Sequence, residues 1–358
     1  SRIVEGMLSG MLHLFLLLGI AKKNNNPERV ANRRGQVLWE AAKQKGIDMQ
    51  NILFLDKPTD LYEAKLPEGT LFWSGLPRPN KTIPETEWML DDKFLLKNRL
   101  LAHNIPAPRG ESCTTLAEAE NCFDLLTKPV IIKPRMGSRG RHTTTHIYTK
   151  KDLKNGFYTA KKLCHAVIIE EHLFGSVYRA TVVGGKLIGL LRGDPPRITG
   201  DGTSSIEQLV AQKNSIKHEI VHNIILNAEH DIFLSRIGYT RGTILQKGTT
   251  IDLTEKIGVT YGGHSKECLD FMHPSWKVLF ETAAKIVGDP MVGFDVILTD
   301  ETTEPSSQRW GIIECNGMPF INLHHDPVEG SPKDAAGAVW NYVQKNINKE
   351  YRVKKNKI

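Results

Sequence analysis

The sequence is poor in cysteine, has no long hydrophobic run and shows no strong excess of either charge. Its 358 residues include five cysteines, an odd number without a closely spaced pair, so the sequence indicates neither a disulfide framework nor a cysteine-rich zinc site. This usage favours a reducing compartment, so we predict a cytoplasmic protein. The most apolar stretch, Met7–Ile20, is shorter than the roughly 20 residues that span a bilayer. It predicts a buried element and no membrane contact.

The charges nearly balance, with 47 Lys and Arg against 40 Asp and Glu, for a formal net charge of +7. This mild excess suits small anionic ligands such as nucleotides and does not by itself indicate nucleic acid. With 40% hydrophobic and 24% charged residues, the chain is globular rather than disordered or fibrous. Its length predicts two or three domains at about 150 residues each.

The first 88 residues carry the signals of one small α/β unit. A helix is predicted from Pro27 to Lys45, because Asn26 can cap it and Gly46 can end it. The apolar segments Leu12–Leu18 and Asn51–Asp56 are predicted as buried strands on either side of this helix. Together they predict a βαβ unit, and hence a small parallel-sheet α/β domain over residues 1–88. The proline-rich segment 77–84 is predicted as a linker.

From Asp91 the chain alternates between helices, strands and glycine-rich loops. Asp91 can cap a helix in which Lys93 and Lys97 lie one turn apart on the same face. Strands are predicted at Val130–Pro134, Val167–Glu170, Ala180–Val183, Lys186–Leu191, Val292–Leu298 and Trp310–Cys315. Two late helices are predicted from apolar stripes, one with Trp276, Leu279, Phe280, Ala283 and Val287 and one with Val339, Trp340, Val343 and Ile347.

Three oxygen-bearing side chains meet on the last predicted strand pair. Glu314 and Asn316 are two residues apart and therefore point to the same face of their strand, and Asp295 can pair with them from the preceding strand. Between apolar neighbours such groups need a positive partner, which Mg²⁺ bound to phosphate oxygens would supply. The alternative is the polar face of a half-exposed antiparallel sheet.

A basic glycine-containing loop follows Lys133. Its residues Gly137, Ser138, Arg139, Gly140 and Arg141 could surround a polyphosphate, because glycines let backbone N–H groups approach and the arginines offset the charge. It matches neither the Walker loop nor the dinucleotide-binding turn. A flexible basic surface loop is the other interpretation.

Acidic and basic residues also lie at the ends of predicted strands. Glu170 and Glu171 could hold a purine amine or a ribose, and otherwise would be solvated charges at a strand end. Arg179, Arg192 and Arg197 follow in strands and turns, where a guanidinium can bind phosphate or carboxylate through two hydrogen bonds.

In their order along the chain, these segments resemble the ATP-grasp ligases, and specifically the ATP-grasp domain of cyanophycin synthetases and bifunctional glutathione synthetases. The match is carried by Asp92-Lys93 with Lys97, Lys133-Pro134, Gly137-Ser-Arg-Gly-Arg141, Glu170 to Arg179, Val182-Val-Gly-Gly-Lys186, Arg192, Pro196, Gly200-Asp-Gly202, Gly262-Gly263, His273-Pro274, Gly293-Phe-Asp295, Glu314-Cys-Asn316 and His324.

The resemblance implies the ATP-grasp fold, in which two α+β subdomains clamp ATP. It places an ATP-grasp domain at 89–345, with a lid subdomain at about 130–185, and leaves a basic tail at 346–358. It does not cover residues 1–88, which resemble only the generic small α/β domain preceding ATP-grasp. ATP and Mg²⁺, or Mn²⁺ in its place, are the implied cofactors.

The resemblance also implies the residue roles. It assigns Lys93, Lys133 and the loop with Gly137, Ser138, Arg139 and Gly140 to the phosphates, Glu170 and Glu171 to the adenosine, Asp295, Glu314 and Asn316 to the metal, Arg192 and Arg179 to catalysis, and Arg197, Gly262, Gly263 and His324 to the substrate.

The implied reaction joins a carboxylate to an amine. The carboxylate attacks the γ-phosphate to give an acyl phosphate and ADP, and an amine then displaces phosphate. The chain departs from its relatives at Thr254–Gly258, where they carry an Arg- and Asn-rich run, and at Phe320, where they carry a small residue. The substrates, expected to be amino acids or peptides, are therefore predicted to differ from theirs.

Two other functions remain open at this point. One is an ATP-grasp kinase, and the other is a non-catalytic protein that binds a nucleotide or nucleic acid through the basic tail at Arg352–Lys357. The metal-binding residues and both lysines disfavour nucleic acid as the partner, since a binding protein would not need them. A homodimer is left open.

Overall fold

The computed structural model describes residues 14–79, 90–137 and 142–347. Within these ranges the strands are β1 (Ala21–Asn24), β2 (Asp48–Phe54), β3 (Lys57–Leu66), β4 (Gly69–Ser74), β5 (Gly110–Cys113), β6 (Val130–Pro134), β7 (Thr144–Ile147), β8 (Val167–Glu171), β9 (Ser176–Val183), β10 (Lys186–Asp194), β11 (Arg197–Thr199), β12 (Thr250–Asp252), β13 (His264–Glu267), β14 (Met291–Leu298) and β15 (Gly311–Asn316).

The helices in the same ranges are α1 (Arg33–Gln44), α2 (Lys93–Leu101), α3 (Leu116–Leu125), α4 (Lys150–Lys161), α5 (Ile206–Ile216), α6 (Ala228–Arg236), α7 (Pro274–Val287) and α8 (Ala335–Asn346). Among the described residues no helix is long and apolar enough to cross a membrane.

The N-terminal sheet is antiparallel, and the predicted parallel βαβ unit is wrong. The strand order is β1-β2-β3-β4, and every neighbouring pair runs antiparallel. Leu55 and Asp56, both at positive φ, form a two-residue turn between β2 and β3, which forces the strands into a hairpin. Part of the predicted strand at 12–18 lies outside the described residues, and residues 14–17 are helical.

The predicted N-terminal helix exists, but it begins later than expected. It starts at Arg33 because Asn32, rather than Asn26, caps it, accepting a hydrogen bond from Gly35 N. Asn26 instead closes a local turn by accepting from Glu28 N. A proline-containing capping signal is therefore also compatible with a loop.

The N-terminal sheet packs against the end of the chain. Trp73 of β4 contacts Trp340 of α8 edge to face at 5.6 Å, and Trp340 Nε1 donates a hydrogen bond to Leu38 O in α1. Ile321 and Met291 belong to the same buried cluster. Residues before the predicted linker and residues of the C-terminal half therefore share one hydrophobic core.

The central sheet has the order β13-β10-β9-β14-β15 and is antiparallel throughout. One face, with Tyr178, Val182 and Phe294, packs on the apolar stripe of α7. The predicted α7 stripe and its end at Gly288 are confirmed, and so is the hairpin around Gly184-Gly185.

A second sheet, of order β5-β8-β6-β7, forms its own layer with α3 and α4. The predicted strand Val130–Pro134 is confirmed as β6. Helix α2 packs against both β15 and α7. It also contacts the second sheet, because Lys93 N donates to Arg135 O and Lys97 pairs with Glu170 of β8. The helix therefore lies between the two sheets.

A fourth buried cluster is formed by residues between β10 and β13 in the sequence. It combines the β11-β12 ribbon with α5 and α6, around Ile206, Leu234 and Leu253. The predicted linker at 77–84 and the basic tail at 346–358 fall mostly outside the described residues.

Candidate functional site

The predicted metal ligands come together at one end of a sheet face. Asp295 on β14 lies directly opposite Glu314 on β15, and Gly293 lies opposite Asn316. Opposed residues of an antiparallel pair share a face, so all three polar side chains point the same way. Asn316 Nδ2 lies 3.5 Å from Asp295 Oδ2. The prediction that these residues are adjacent is confirmed.

Arg179 lies beside them and binds Asp295 through a two-point ion pair. Its Nε and Nη2 donate to Asp295 Oδ1 and Oδ2 at 2.6 and 3.0 Å. Burial alone would lower the pKa of Arg179, but the Asp295 carboxylate outweighs it and raises that pKa. The remaining nitrogen, Nη1, is buried and has no partner among the described residues. It is a donor available to an anion.

The backbone at Gly293 makes room for this pair. A Cβ at that position would lie 3.0 Å from Arg179 Cδ and 2.9 Å from Pro319 Cβ. Glycine therefore allows the arginine to cross β14 and reach Asp295.

A buried cluster of two lysines and one glutamate lies in the second sheet, next to α2. Glu170 on β8 accepts from Lys133 at 2.5 Å and from Lys97 at 3.3 Å. All three residues are at most 8% exposed. Burial lowers the pKa of Lys97, Glu170 offsets part of this, and Lys133 adds to it. The carboxylate thus holds two ammonium groups close together in a partly desolvated position.

The glutamates at the end of β8 have partners other than those predicted. Each oxygen of the Glu170 carboxylate lies next to one lysine, Oε1 next to Lys133 and Oε2 next to Lys97. Glu171 accepts from Arg109 N at 3.0 Å and from the Arg309 guanidinium. Both side chains thus bind basic groups of the chain, and their contact with adenosine stays a prediction.

Helix α2 connects the two groups of charged residues. Asp92 caps it by accepting from Phe94 N and Leu95 N, and also binds Arg135 at the end of β6. Burial would raise the pKa of Asp92, but Arg135 and the helix N–H groups outweigh it and lower that pKa. Lys93 Nζ lies 3.9 Å from Glu314 Oε1. The two lysines of this helix, four residues apart, thus lie next to different sheets.

The predicted phosphate loop is only partly described. Gly137 has a φ of +64°, a backbone conformation that favours glycine. Ser138, Arg139, Gly140 and Arg141 lie outside the described residues.

Arg192 does not face the site, which argues against the catalytic role predicted for it. On β10 it lies opposite Tyr178, whereas its neighbour Leu191 lies opposite Arg179. Its side chain therefore lies on the face of the sheet that carries Tyr178, whereas Arg179 and Asp295 lie on the other face. There it lies 2.8 Å from Asp194. The register changes at a bulge between Leu187 and Gly189, which no local sequence pattern reveals.

The predicted substrate residues are spread over two places. Arg197 pairs with Asp252 at 2.5 Å and with Asp194 at 3.3 Å, at the base of the β11-β12 ribbon. Gly262 and Gly263 pack so closely that a Cβ would lie 2.2 Å from Ile224 Cγ1 or from Asp194 O, respectively. Arg197 and Gly263 thus lie next to Asp194, and Gly262 lies next to Ile224.

His324 is fully buried, and both ring nitrogens are engaged. Nδ1 lies 2.7 Å from Glu267 Oε2 and Nε2 lies 2.7 Å from Thr181 Oγ1. Its substrate role is not supported by this position, because no ring nitrogen is left for a ligand. Gly189 accommodates it, since a Cβ there would lie 2.2 Å from Nδ1.

The donor set fits Mg²⁺ or Mn²⁺ and does not fit zinc. Asp295, Glu314 and Asn316 offer oxygen ligands, which hard divalent cations prefer. The ion pair with Arg179 uses only part of the acceptor capacity of Asp295. Across the described ranges there is no group of three or more His, Cys, Asp or Glu side chains suited to a metal. A bound cation would therefore depend on further oxygens from its ligand.

Comparison with known proteins identifies the fold. The chain is 24% identical to a bifunctional glutathione synthetase from Pasteurella multocida, whose crystal structure superposes with a TM-score of 0.58 over 86% of this chain and 42% of that one. This chain has the ATP-grasp fold. It is also 28% identical over 255 residues to cyanophycin synthetase of Trichormus variabilis, covering 69% of this chain and 28% of that protein.

A further relative of this ATP-grasp chain is the glutathione biosynthesis bifunctional protein of Clostridium perfringens. The two are 29% identical over 309 residues, which cover 84% of this chain and 39% of that protein. The chain spans less than half the length of each of these relatives. No family model matches it. The resemblance to ATP-grasp carboxylate–amine ligases inferred from the sequence is confirmed.

Proposed function

We propose that this ATP-grasp chain is an ATP-dependent carboxylate–amine ligase. The observation that carries the proposal is the connection of two charged groups by α2, with Lys93 beside Glu314 and Lys97 beside Glu170 and Lys133. One group offers cations for a polyphosphate, and the other offers oxygens for a divalent cation together with a free guanidinium nitrogen. Phosphoryl transfer needs this combination of positioning and charge neutralisation.

The reaction proceeds in two steps. A carboxylate oxygen of the first substrate attacks the γ-phosphorus, and the bond to the β,γ-bridging oxygen breaks, giving an acyl phosphate and ADP. The amine nitrogen of the second substrate then attacks the acyl carbon. Phosphate leaves, the nitrogen loses a proton, and an amide remains.

The position of each site residue suggests its role in the reaction. Lys93, Lys97 and Lys133 bind phosphate oxygens, and Glu170 keeps two of these ammonium groups in place before ATP arrives. Arg179 donates from Nη1 to the transferred phosphoryl group or to the substrate carboxylate. Asp295, Glu314 and Asn316 would hold Mg²⁺, or Mn²⁺ in its place. That ion neutralises charge on the phosphates and orients them.

The substrates are proposed to be amino acids or short peptides. Support comes from the names of the relatives, synthetases of cyanophycin and of glutathione, and from Arg179, whose Nη1 could bind a substrate carboxylate. The five cysteines are free thiols, which supports the cytoplasmic location proposed from the sequence.

The test is a panel of amino acids and short acidic peptides incubated with the full chain and Mg-ATP. Release of ADP and phosphate, together with a product one water lighter than the sum of two substrates in mass spectrometry, is the expected result. Product should vanish in Asp295→Asn and Glu314→Gln. The matched control is Asp252→Asn, because Asp252 pairs with an arginine outside the site.

Other outcomes would replace the proposal. Phosphorylated substrate without amide would identify a kinase. Binding of ATP without turnover over the whole panel would support a non-catalytic nucleotide-binding protein. Neither alternative is favoured by a contact among the described residues.

A further inference from the structure

Two arginines of the N-terminal region reach the loop that follows the proposed metal strand. We call residues 317–320 the metal-strand loop, because they come directly after Asn316 at the end of β15. Arg78 donates to Gly317 O in this loop, to Met291 O at 3.1 Å and to Asp289 Oδ1 at 2.7 Å. Its side chain is 16% exposed, and that of Asp289 is 1% exposed.

Arg78 therefore bridges the two strands that carry the proposed metal ligands. The β14-β15 ladder ends where Gly293 lies opposite Asn316. Beyond that pair β14 and β15 are no longer paired with each other, although Met291 stays paired with Val183 of β9. There the Arg78 guanidinium bonds the carbonyls of Met291 and Gly317 on the two sides. The planar guanidinium presents its donors in a rigid arrangement, so these bonds fix the spacing between the two chains.

Arg34 of α1 supports the same loop from a second direction. Its Nη1 lies 3.5 Å from Met318 O, and its guanidinium lies over the Phe320 ring at 5.3 Å from the centroid. Asp60 at 2.7 Å compensates its charge. Gly75 leaves space for the loop, since a Cβ there would lie 2.7 Å from Met318 Sδ.

We propose that Arg78, assisted by Arg34, is a positioning residue for the metal site. It holds the two chains together just beyond the last pair of the β14-β15 ladder, and thereby supports the placement of Asn316 relative to Asp295. The inference rests on the proposed function, because it presumes that these residues bind a divalent cation together with ATP. It assigns the N-terminal region a share in nucleotide binding, although the proposed metal ligands, Asp295, Glu314 and Asn316, all lie in the C-terminal half.

The N-terminal sheet also packs on the C-terminal half through apolar contacts that do not involve Arg78. Trp73, Leu76, Ile321 and Trp340 lie in one buried cluster, which holds the sheet against the C-terminal half. Loss of the Arg78 guanidinium should therefore loosen the metal-strand loop while the layers stay together.

The test compares ATP binding with and without metal in the full chain. Dissociation constants for ATP are measured by calorimetry in excess Mg²⁺ and in EDTA, for the wild type and for Arg78→Met. Changes to residues that orient metal ligands typically cost about 10- to 100-fold in metal affinity. We expect the gain in ATP affinity from Mg²⁺ to fall about tenfold in Arg78→Met, while affinity in EDTA stays within about twofold.

Two further variants make the result specific. Arg29→Met is the matched control, because Arg29 also lies in the N-terminal region and donates to a backbone carbonyl, Asp56 O, at 2.9 Å. It should leave the gain from Mg²⁺ unchanged. Arg78→Lys keeps the charge but presents its donors from a single point, and should give an intermediate gain.

The outcomes separate the two proposals. The positioning role alone would be overturned if Mg²⁺ raised the ATP affinity of folded Arg78→Met as much as that of the wild type. It would also be overturned if the variant lost ATP affinity equally in Mg²⁺ and in EDTA. Unfolding of both Arg78 variants would assign the residue to fold stability and would overturn it as well. A wild-type chain that does not bind ATP would instead refute the proposed function, and this inference with it.

Discussion

Arg179 and Asp295 lie opposite each other on β9 and β14 and form a two-point ion pair of 2.6 and 3.0 Å across the ladder. The pair joins one of the proposed metal ligands to the proposed donor for the reacting group. Each residue compensates the charge of the other, so contacts within the chain itself position both side chains.

The pair predicts a large effect of Asp295→Ala on stability. Removing one partner of a buried ion pair leaves an uncompensated charge and costs about 3–5 kcal/mol. The side chains of Arg179 and Asp295 are 16% and 19% exposed, so we expect a loss of about 3 kcal/mol in the free energy of unfolding, measured in urea. Asp252→Ala breaks a pair with side chains 36% and 35% exposed and should cost about 1 kcal/mol or less. Equal losses would contradict this.

Glu170→Gln should destabilise the chain more at pH 7 than at pH 9.5. The variant leaves Lys97 and Lys133 close together without a counter-charge, which lowers the pKa of Lys97 further below 10.5. The unfolded state then binds more protons than the folded state, so stability rises with pH in the window below 10.5. Urea unfolding at the two pH values checks this. If the variant lost the same free energy of unfolding at both pH values, Lys97 would have the same pKa in the folded and unfolded states.

His172 should make the fold sensitive to mild acid. Burial, and secondarily the nearby His146, lower the pKa of His172 to about 4. Its ring lies between His146 and Phe174, at centroid distances of 4.3 and 4.7 Å. The unfolded state binds the proton near pH 6.5, so stability falls as the pH drops from 6.5 towards 4.

His172→Phe keeps the ring and removes the proton site. Between pH 7.5 and pH 5 the wild type should lose about 1–2 kcal/mol more than this variant in urea unfolding. Identical losses would mean that other histidines carry the acid sensitivity.

Arg179 and Arg192 should differ sharply in their effect on turnover, although they lie on adjacent strands. Arg179→Met removes a donor beside Asp295 and should reduce product formation at least about 100-fold, as loss of one transition-state hydrogen-bond donor commonly does. Arg192→Met acts on the opposite face of the sheet and should stay within about threefold of the wild type. The comparison uses initial rates of folded variants, and a reversed order would refute the assignment of faces.

Local patterns predicted the elements of the site well. Because Glu314 and Asn316 are two residues apart, they lie on the same face of any strand that contains them, and the structure confirms that Asp295 lies next to them. The apolar stripe of α7 and its end at Gly288 are likewise local properties. The spacing of Lys93 and Lys97 on one helix is also a local property, whereas the sheet that each lysine contacts depends on packing.

Long-range pairing was not predictable in the same way. The turn at Leu55 and Asp56 lacks the Asn-Gly or Asp-Gly signal of a tight hairpin, so nothing local showed that β2 and β3 are antiparallel. The sequence also does not show which groups bind the glutamates at the end of β8. Their partners, Lys97 for Glu170 and Arg309 for Glu171, come from distant segments.

The sequence by itself determined which residue types are available for the chemistry and their order along the chain. It also determined which residues of each strand or helix lie on the same face, since side-chain direction repeats with a fixed period. Only the tertiary structure decided which faces meet. A single bulge in β10 sends Arg192 away from Asp295, and the packing of the N-terminal sheet brings Arg78 to the loop after Asn316. Such placements depend on contacts between segments far apart in sequence.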